Sequence, residues 1–467
     1  MNLAFSSPLL SRRPLALGPI GIAGLAWLLL WGDLHPAFSA GITATFENYT
    51  GPAQVKLHEL GRFEAEITLD PREEKRPVRI QVKLPNSGRD AWPVNDVVVT
   101  DSKGKPLPVL RSGIQWENLL LTLPPQRKTY VITTVEPKVE PPPVFAERDR
   151  SASEPKSGLS VRICRFHGDK RAALSIRFDD SHPTHLSKAI PILNEYGFKG
   201  TFMVNPGGHP PNSRRRSAFE DHRAEWEAVA RRGRHEFANH SLNHVGAGNH
   251  EAMDHEIGET ARIIWRLFPQ KSKVLALNLG GGTRWITSRP LRHYLDRYHH
   301  FDASSGSTGM DDVYGNRVAT FKRLLKRHVE RGLWYRVHYH YIGEGLSSSE
   351  ENFRATLDVA KQHADSLWVA GMADIHRYQT ERRAAKLRLA VDEKGRFRLN
   401  LTCATDPTLY DQPLTIAVDL PAAWKAEQIA VRDMTSGSSK IYSSSSRKNS
   451  LLFDVAPRNS EFLIERN

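Results

Sequence analysis

Cysteine is scarce in this chain, which has only two cysteines, Cys164 and Cys403, among its 467 residues. Neither of them stands in a CxxC pair, so a zinc site built from cysteines is excluded. In an oxidising compartment the two thiols can form a disulfide, and otherwise they are two buried free thiols. The sequence leaves both alternatives open.

Acidic residues are also fewer than basic ones, 52 against 65, which gives a net charge of +13. Such a charge favours anionic partners and is compatible with association with the cell envelope. The basic residues are scattered along the chain, and no nucleic-acid-binding module is recognisable. A nucleic-acid partner is therefore not expected. The length predicts two or three domains.

The N-terminus has an apolar segment, residues 15–31, between an arginine pair and the short sequence AFS at 37–39. This is the layout of a secretory signal with small residues around the cleavage point. The same segment is just long enough to be an uncleaved membrane anchor. Residues 1–39 are thus predicted to be a signal peptide or an anchor, and the rest is predicted to be periplasmic, secreted or membrane-anchored.

Four further regions differ in their patterns. Residues 40–135 alternate apolar and polar positions between turn residues, which predicts a β-sandwich-like domain. Residues 136–160 are rich in proline, serine and charge, which predicts a linker. From 161 to 385 strand patterns alternate with helix patterns, which predicts an α/β domain whose parallel sheet is open or closed into a barrel. Residues 386–467 return to strand patterns and predict a second β-rich, sandwich-like domain.

Two aspartates, Asp179 and Asp180, directly follow the predicted strand 172–178. In a parallel α/β domain they lie at the C-terminal end of that strand, where such folds build their sites. A purely structural role is equally available, because Asp180 or Ser181 could cap the next helix. Taken alone, the pair favours the cap slightly.

Histidines supply partners for these aspartates. His240 and His244 follow another predicted strand at a spacing that lets two imidazoles face one cation. The overlapping sequence HEFANH has one residue too many for the HExxH motif of zinc proteases, which is therefore excluded. His338 and His340 share one face of the predicted strand 333–342, and either could be an acid or a base. With twenty histidines in the chain, each pattern alone could arise by chance.

Together these patterns indicate a site for a divalent cation, since each one stands at the C-terminal end of a predicted strand. One aspartate and two imidazoles would leave positions on the cation open. A cation bound there would activate water and polarise a carbonyl group. The second aspartate could take the proton of that water, and a histidine across the pocket could protonate a leaving group.

The sequences SIRFDDSH, GTFMVN, NHSLNH and VHYHYIGEG, in this order, resemble the polysaccharide deacetylases of carbohydrate esterase family 4 over roughly 165–385. The resemblance implies a distorted (β/α) barrel, here flanked by the two β-rich regions. It also implies a metal-dependent site that removes acetyl groups from an N- or O-acetylated polysaccharide. The implied metal is Zn²⁺, with Co²⁺ or Ni²⁺ as alternatives, and the individual sugar is not predicted.

By position in these motifs, Asp179 matches the catalytic base, and His340 matches the general acid in preference to His338 because HYIGEG resembles a stretch of the family. The residues that match the metal ligands are Asp180, His240 and His244. The weaker candidates for substrate binding or support are Ser241, His182, Arg284, Asp302 and His338.

The chain departs from the family at several positions. Arg177 and Ser181 flank the aspartate pair, where threonine and glycine are usual. The third sequence motif of the family is not recognisable in this chain, and Arg284 is a candidate substitute for it. The fourth motif is not clear either, and Asp302 at its place is the candidate that orients the acid histidine. Two alternatives therefore stay open. One is a polysaccharide-binding envelope protein on a degraded deacetylase fold, and the other is a metal-dependent hydrolase of a non-sugar amide.

Overall fold

The structure is a computed structural model that describes residues 42–466 with internal gaps. The gaps are residues 50–52, 59–63, 70–75, 86–91, 93, 113–116, 125, 136–138, 209–217, 344–346, 425–427 and 444–448. The predicted signal or anchor, including residues 15–31, lies outside the described residues. Among the helices of the described part, none combines the length and apolarity that a membrane crossing needs.

The N-terminal region consists of two antiparallel sheets that share one core. Its strands are β1 (Thr43–Phe46), β2 (Ala53–His58), β3 (Glu64–Leu69), β4 (Val78–Lys83), β5 (Val97–Asp101), β6 (Val109–Ser112), β7 (Asn118–Leu123) and β8 (Lys128–Thr134). One sheet has the order β1-β4-β7-β6 and the other β2-β3-β8-β5. Ile80 and Leu121 of the first sheet pack in one apolar cluster with Ile132 of the second. The predicted β-rich character of this region is confirmed.

Part of the predicted linker 136–160 is structured. It contains β9 (Ser151–Glu154), which pairs with β10 (Leu159–Ile163). The strand β10 pairs in turn with Leu414–Asp419 of the C-terminal region. Its alternate apolar side chains are buried in the C-terminal core, so the chain contributes to that core before it enters the α/β domain. The domain boundaries themselves stay predictions.

The central region alternates strands with helices. Its strands are β11 (Ala172–Phe178), β12 (Gly200–Val204), β13 (Glu236–Asn239), β14 (Leu275–Leu277), β15 (Trp285–Thr287), β16 (His300–Asp302), β17 (Thr308–Gly309), β18 (Trp334–Tyr339), β19 (Tyr341–Ile342), β20 (Ser347–Ser348) and β21 (Leu367–Val369). Its helices are α1 (Ile190–Tyr196), α2 (Ala218–Asp221), α3 (Arg223–Arg232), α4 (His250–Leu267), α5 (Leu291–Arg297), α6 (Arg317–Arg331), α7 (Glu350–Gln362) and α8 (Met372–Arg383).

Eight of these strands form one parallel sheet in the order β16-β14-β13-β12-β11-β18-β17, with β21 paired to the first half of β11. Every residue of β11 is buried, as expected for a parallel strand covered on both faces. The sheet curls into a half-barrel, which confirms the predicted distorted (β/α) barrel class. Because the strands are parallel, their C-terminal ends meet along one edge, called here the carboxyl edge. The residues that follow five of its strands are Asp179, Asn205, His240, Asn278 and His340.

The C-terminal region is again β-rich, as predicted. Its strands are β22 (Ala385–Val391), β23 (Phe397–Cys403), β24 (Leu414–Asp419), β25 (Gln428–Asp433), β26 (Ser439–Ser443), β27 (Ser450–Val455) and β28 (Ser460–Arg466). They form the sheets β22-β23-β28-β25-β26 and β27-β24-β10-β9 around one core. Cys164 and Cys403 are both buried free thiols, which decides between the two alternatives left by the sequence.

Candidate active site at the carboxyl edge

Asp179 is a deeply buried acid at the carboxyl edge, with 3% of its surface exposed. Its Oδ2 accepts hydrogen bonds from Arg177 Nη2 at 2.9 Å and from Asn278 Nδ2 at 3.3 Å. Among the described residues, its Oδ1 has no hydrogen-bond partner. Burial by itself raises the pKa of this carboxyl, but Arg177 and then His240 outweigh it and lower the pKa overall. Asp179 is therefore a buried carboxylate with one oxygen held and one available.

Asp180 faces the two histidines of the NHSLNH sequence. Its Oδ1 lies 3.2 Å from His240 Nε2 and 3.5 Å from His244 Nε2. These three residues are the described group that could hold a metal ion, with donor atoms all within 4.8 Å of one another. Burial raises the pKa of Asp180, but its hydrogen bond to His240 and the nearby imidazoles outweigh burial and lower it overall.

The tautomer of His240 follows from its backbone contact. His240 Nδ1 lies 2.6 Å from the carbonyl oxygen of Asn278, an acceptor only, so Nδ1 carries the proton and donates it. Nε2 is therefore the nitrogen that faces Asp180, and it would offer its lone pair to a cation bound there. This arrangement, in which one ring nitrogen is hydrogen-bonded and the other is presented to the site, is typical of metal-binding histidines.

Ser241 supports the turn between the two histidines. It is fully buried, and its Oγ accepts the backbone N–H of His244 at 3.1 Å. Ser241 and His244 both have positive φ, as do Asp180 and Ser181 across the site. Strain of this kind in non-glycine residues collects at functional sites. The supporting role expected of Ser241 thus has a direct contact behind it.

His340 is held by an acid that the sequence analysis did not select. Its Nδ1 lies 2.6 Å from Asp311 Oδ2, and its backbone N–H donates to Asp311 Oδ1 at 3.0 Å. Burial lowers the pKa of His340, but the bond to the fully buried Asp311 and the charge of Asp179 outweigh it and raise the pKa overall. The described contact of Asp302, the residue that the sequence suggests for this orienting role, is made by its Oδ1, which accepts the backbone N–H of Ser304.

Three weaker candidates lie at different depths. His338 lies behind the site, where Ser307 Oγ contacts its Nδ1 at 2.9 Å and where burial, with Arg177, lowers its pKa to about 4. His182 stacks on Tyr341 with ring centroids 3.8 Å apart, and the Tyr341 hydroxyl lies 3.5 Å from Asp180 Oδ2. Arg284 has an exposed side chain, and its described contact is made by its backbone carbonyl.

Sequence reasoning missed several residues that hold the site. Arg177 was noticed only as a departure from the family, yet it binds Asp179 and also donates to the carbonyl of Ala303 at 2.8 Å. Asn278 contacts both Asp179 and His240, and Asp311 holds His340. Asn278 could have been selected from the sequence, because it directly follows a short strand. Asp311 could not, because it is one of several acids in its part of the sequence.

A family model described as polysaccharide deacetylase matches residues 167–288. One curated relative, a gellan lyase from a Bacillus species, is 23% identical over 306 residues. That match covers 58% of this chain and 12% of the lyase, so the chain spans only a small part of that longer protein.

Several solved structures are similar to the central region. A family 4 acetyl xylan esterase from Clostridium thermocellum, in complex with a cobalt ion, is 14% identical over 44% of this chain and 89% of its own, with a TM-score of 0.29. A family 4 carbohydrate esterase from Streptomyces lividans is 15% identical over 44% and 95%, with a TM-score of 0.31. A CE4 family pseudoenzyme from Bacillus anthracis is 14% identical over 45% and 66%, with a TM-score of 0.32.

Because the identities and TM-scores of these structures are low, the family relationship rests on the family model and on the motif residues that the fold brings together. The matched segment 167–288 contains Asp179, Asp180, His240 and His244. The chain therefore contains a polysaccharide deacetylase domain over the residues that the family model matches.

Proposed function

We propose that this chain is an exported, metal-dependent deacetylase that hydrolyses acetyl groups on an N- or O-acetylated polysaccharide. One observation carries the proposal. Asp179 is a buried carboxylate, and one of its oxygens has no hydrogen-bond partner among the described residues. It lies beside the Asp-His-His donor set and at the same edge of the sheet as His340, whose ring contacts Asp311.

The donor set fits a divalent cation. Asp180 Oδ1 lies 3.2 and 3.5 Å from the Nε2 atoms of His240 and His244, and the ligand atoms of a tetrahedral zinc site lie about 3.4 Å apart. Two imidazoles and one carboxylate suit Zn²⁺, with Co²⁺ or Ni²⁺ as alternatives, and leave a position open. When bound, the cation would lower the pKa of a water molecule toward about 7 and polarise a carbonyl oxygen.

Asp179 is the proposed general base. Arg177 and Asn278 both bind its Oδ2, so the carboxylate cannot rotate freely, and Oδ1 is the oxygen that can accept a proton from the attacking water. The lowered pKa of Asp179 keeps it ionised at neutral pH, as a base must be.

His340 is the proposed general acid. Because its Nδ1 is bonded to Asp311, its Nε2 is the nitrogen that can donate to a departing amine or alkoxide. The raised pKa of His340 favours the protonated form that this role requires. Asp311 thus sets both the orientation of the ring and its charge.

The stacked rings of His182 and Tyr341 are the proposed contact for the sugar. They stand next to Asp180, and Thr184 fixes His182 through contacts of 2.9 and 3.3 Å from its Oγ1 and N to Nδ1. Flat faces of this kind suit the apolar face of a pyranose ring. His182, which directly follows the departure from the family at Ser181, is thus a place where substrate preference can be set.

Export is supported by the sequence of residues 1–39, read as a cleaved signal or as an anchor through 15–31. The net charge of +13 supports association with an anionic envelope rather than with a nucleic acid, for which no module is recognisable.

The test is acetate release from chitin oligomers, peptidoglycan and acetylated xylan, by metal-free protein and by protein loaded with Zn²⁺ or Co²⁺. We expect release from one of them only with metal. His240→Ala should lose the metal, while the matched variant His250→Ala should keep it. No release from any polymer with metal bound would favour the polysaccharide-binding alternative, and release only from small amides would favour the non-sugar hydrolase.

A further inference from the structure

We infer that the N-terminal β region is a positioning element for the candidate metal ligand His244, which it reaches through the segment 280–287. The inference rests on the proposed function for its metal, but its structural part is independent of any metal. Four contacts in series carry it.

The first contact joins the central region to the N-terminal sheet. The strand β15 lies outside the parallel sheet and pairs antiparallel with β6. Trp285 lies opposite Arg111, and Thr287 lies opposite Val109. The N-terminal sheet thereby gains a fifth strand from the catalytic domain. The side chain of Trp285 is buried in the core of the α/β domain, so β15 contributes both to that domain and to the N-terminal sheet.

The second contact joins β15 to the loop that contains His244. The backbone N–H of Ala247 donates to the carbonyl of Arg284 at 2.9 Å, and the N–H of Ile286 donates to the carbonyl of Ala247 at 2.8 Å. Gly246 has positive φ, and a Cβ there would overlap the carbonyl oxygen of Arg284. The backbones of 246–247 and 284–286 therefore pack without any side chain between them.

The third contact joins the same segment to His244 itself. Gly280 has positive φ, and a Cβ at this position would overlap His244 Nε2, the atom that faces Asp180. The backbone around Gly280 thus forms a wall beside the imidazole. A shift of the segment 280–287 would move this wall and the Ala247 contact together.

The fourth contact lies at the same interface between the N-terminal sheet and the central region, which is called here the seam. Arg292 on α5 donates to Asp96 Oδ1 of the N-terminal region at 3.0 Å. Arg111, opposite Trp285, is buried, and its guanidinium binds the carbonyl oxygens of Val94 and Val97. Strand β6 and the turn that carries Asp96 are therefore held as one unit against the catalytic domain.

The function of the seam follows from where it ends. Nothing in the chemistry of Asp179 or His340 requires the N-terminal region, whereas His244 lies on a turn with positive φ that is supported by Ser241 on one side and by segment 280–287 on the other. Outer contacts that hold a metal-binding histidine are worth about 10–100-fold in metal affinity. The seam is thus placed where it can set that affinity.

The test removes one backbone donor at the seam. The backbone N–H of Ile286 donates to Ala247, so the backbone polar groups of the next residue, Thr287, face β6. Val109 lies opposite Thr287 in β6 and is not paired with a residue of β7. Val109→Pro removes the amide that faces Thr287, at the first residue of β6, where proline is tolerated. Val109→Ala is the matched control, since it also loses the buried side chain but keeps the amide.

Two measurements on the full chain decide the inference. Hydrogen–deuterium exchange in the metal-free protein should be faster around 244–250 and 284–287 in Val109→Pro than in Val109→Ala. The affinity for Co²⁺, followed by its absorption spectrum, should fall about tenfold in Val109→Pro only. Equal exchange in the two folded variants would overturn the inference, whereas failure of the unmodified protein to bind Co²⁺ would instead overturn the proposed function.

A second pair of variants serves if Val109→Pro does not fold. Arg292→Gln breaks the ion pair to Asp96, and Arg297→Gln on the same helix breaks an ion pair to Asp254 inside the catalytic domain. Arg292→Gln should weaken Co²⁺ binding about threefold and speed exchange around 244–250, while Arg297→Gln should do neither. Identical behaviour of the two variants would overturn the inference.

Discussion

The two ends of the parallel sheet both carry clusters of charge, and we propose that only the carboxyl edge is an active site. At the amino ends of the strands lies a network defined by Lys199, Glu236, Asp374, Arg377 and Asp411, beside a cavity of about 340 Å³. Within it Asp374 binds both Lys199 and Arg377, and Glu236 Oε1 accepts from Thr201 and from the N–H of Ala373. This amino-edge network is satisfied within the chain.

The carboxyl edge differs in two physical respects. Asp179 Oδ1 is buried without a partner among the described residues, and two imidazoles face the same oxygen of Asp180. Four of the seven non-glycine residues described with positive φ also lie here, namely Asp180, Ser181, Ser241 and His244. A cavity and buried charge therefore do not by themselves indicate an active site. Unsatisfied atoms and backbone strain distinguish the site from the network.

The largest expected effect comes from exchanging one carboxylate at each edge of the sheet. Asp179→Asn should lower turnover about 10³-fold while metal affinity is kept, because the general base is lost. Glu236→Gln at the amino edge should leave turnover within about twofold, since it touches no reacting group. Steady-state acetate release and Co²⁺ titration measure both. Activity retained in Asp179→Asn would contradict the assignment of the base.

Removing the central acid of the amino-edge network should affect folding instead of turnover. Asp374→Ala leaves the partly exposed Lys199 and the buried Arg377 without their shared partner, which should cost about 3 kcal/mol in the free energy of unfolding. Urea denaturation measures that loss, and turnover per folded molecule should be unchanged. Glu195→Ala, which breaks an exposed ion pair with Arg354, is the control and should change stability little. A loss of turnover without a loss of stability would place chemistry at the amino edge.

A smaller effect is expected from the acid behind His340. Asp311→Asn removes the charge that orients the ring and raises its pKa, so kcat should fall about 10²-fold with metal affinity unchanged. Asp302→Asn is the matched control, because the described contact of Asp302 is with the N–H of Ser304. If Asp302→Asn were as damaging as Asp311→Asn, the pairing described at this edge would be incorrect.

The smallest effect concerns pH and stability beside the amino edge. Burial raises the pKa of Glu381 to about 8 from its ordinary 4.5, and its Oε2 lacks a partner among the described residues. The folded state therefore holds this proton more tightly than the unfolded state, so the stability it contributes is full below about pH 4.5 and is lost as pH rises through 8.

Glu381→Gln should remove that slope. Between pH 5 and pH 9 the variant should lose less unfolding free energy than the unchanged chain, as measured by urea denaturation at each pH. The pH dependence of turnover should be the same in both, because the described contacts of Glu381 involve no residue of the proposed active site. Parallel stability curves for the two proteins would show that Glu381 is ionised when folded.

Much of the site was predictable because its chemistry is local in the sequence. Asp179, Asp180, His240 and His340 each follow a recognisable strand, and parallel strands bring such positions to one edge. Asp311 was not predictable in this way. It faces His340 because the two-residue strand β17 pairs with β18 at Thr308 and Val337, and so short a strand has no pattern of its own.

Long-range pairings account for the other differences. The strand β10 joins the C-terminal sheet across more than two hundred residues, and β15 joins the N-terminal sheet instead of the parallel one. Neither partner is encoded in the local alternation of apolar residues, which specifies that a segment is a strand but not which edge it meets.

The sequence by itself determined the class of fold, the β-rich flanks and the set of residues that can bind a cation, because strand periodicity and donor chemistry are local properties. The tertiary structure decided which oxygen of Asp179 is available, which acid holds His340, and that β15 ties the N-terminal sheet to the turn of His244. These depend on hydrogen bonds between atoms that only folding brings within 3 Å or so of one another.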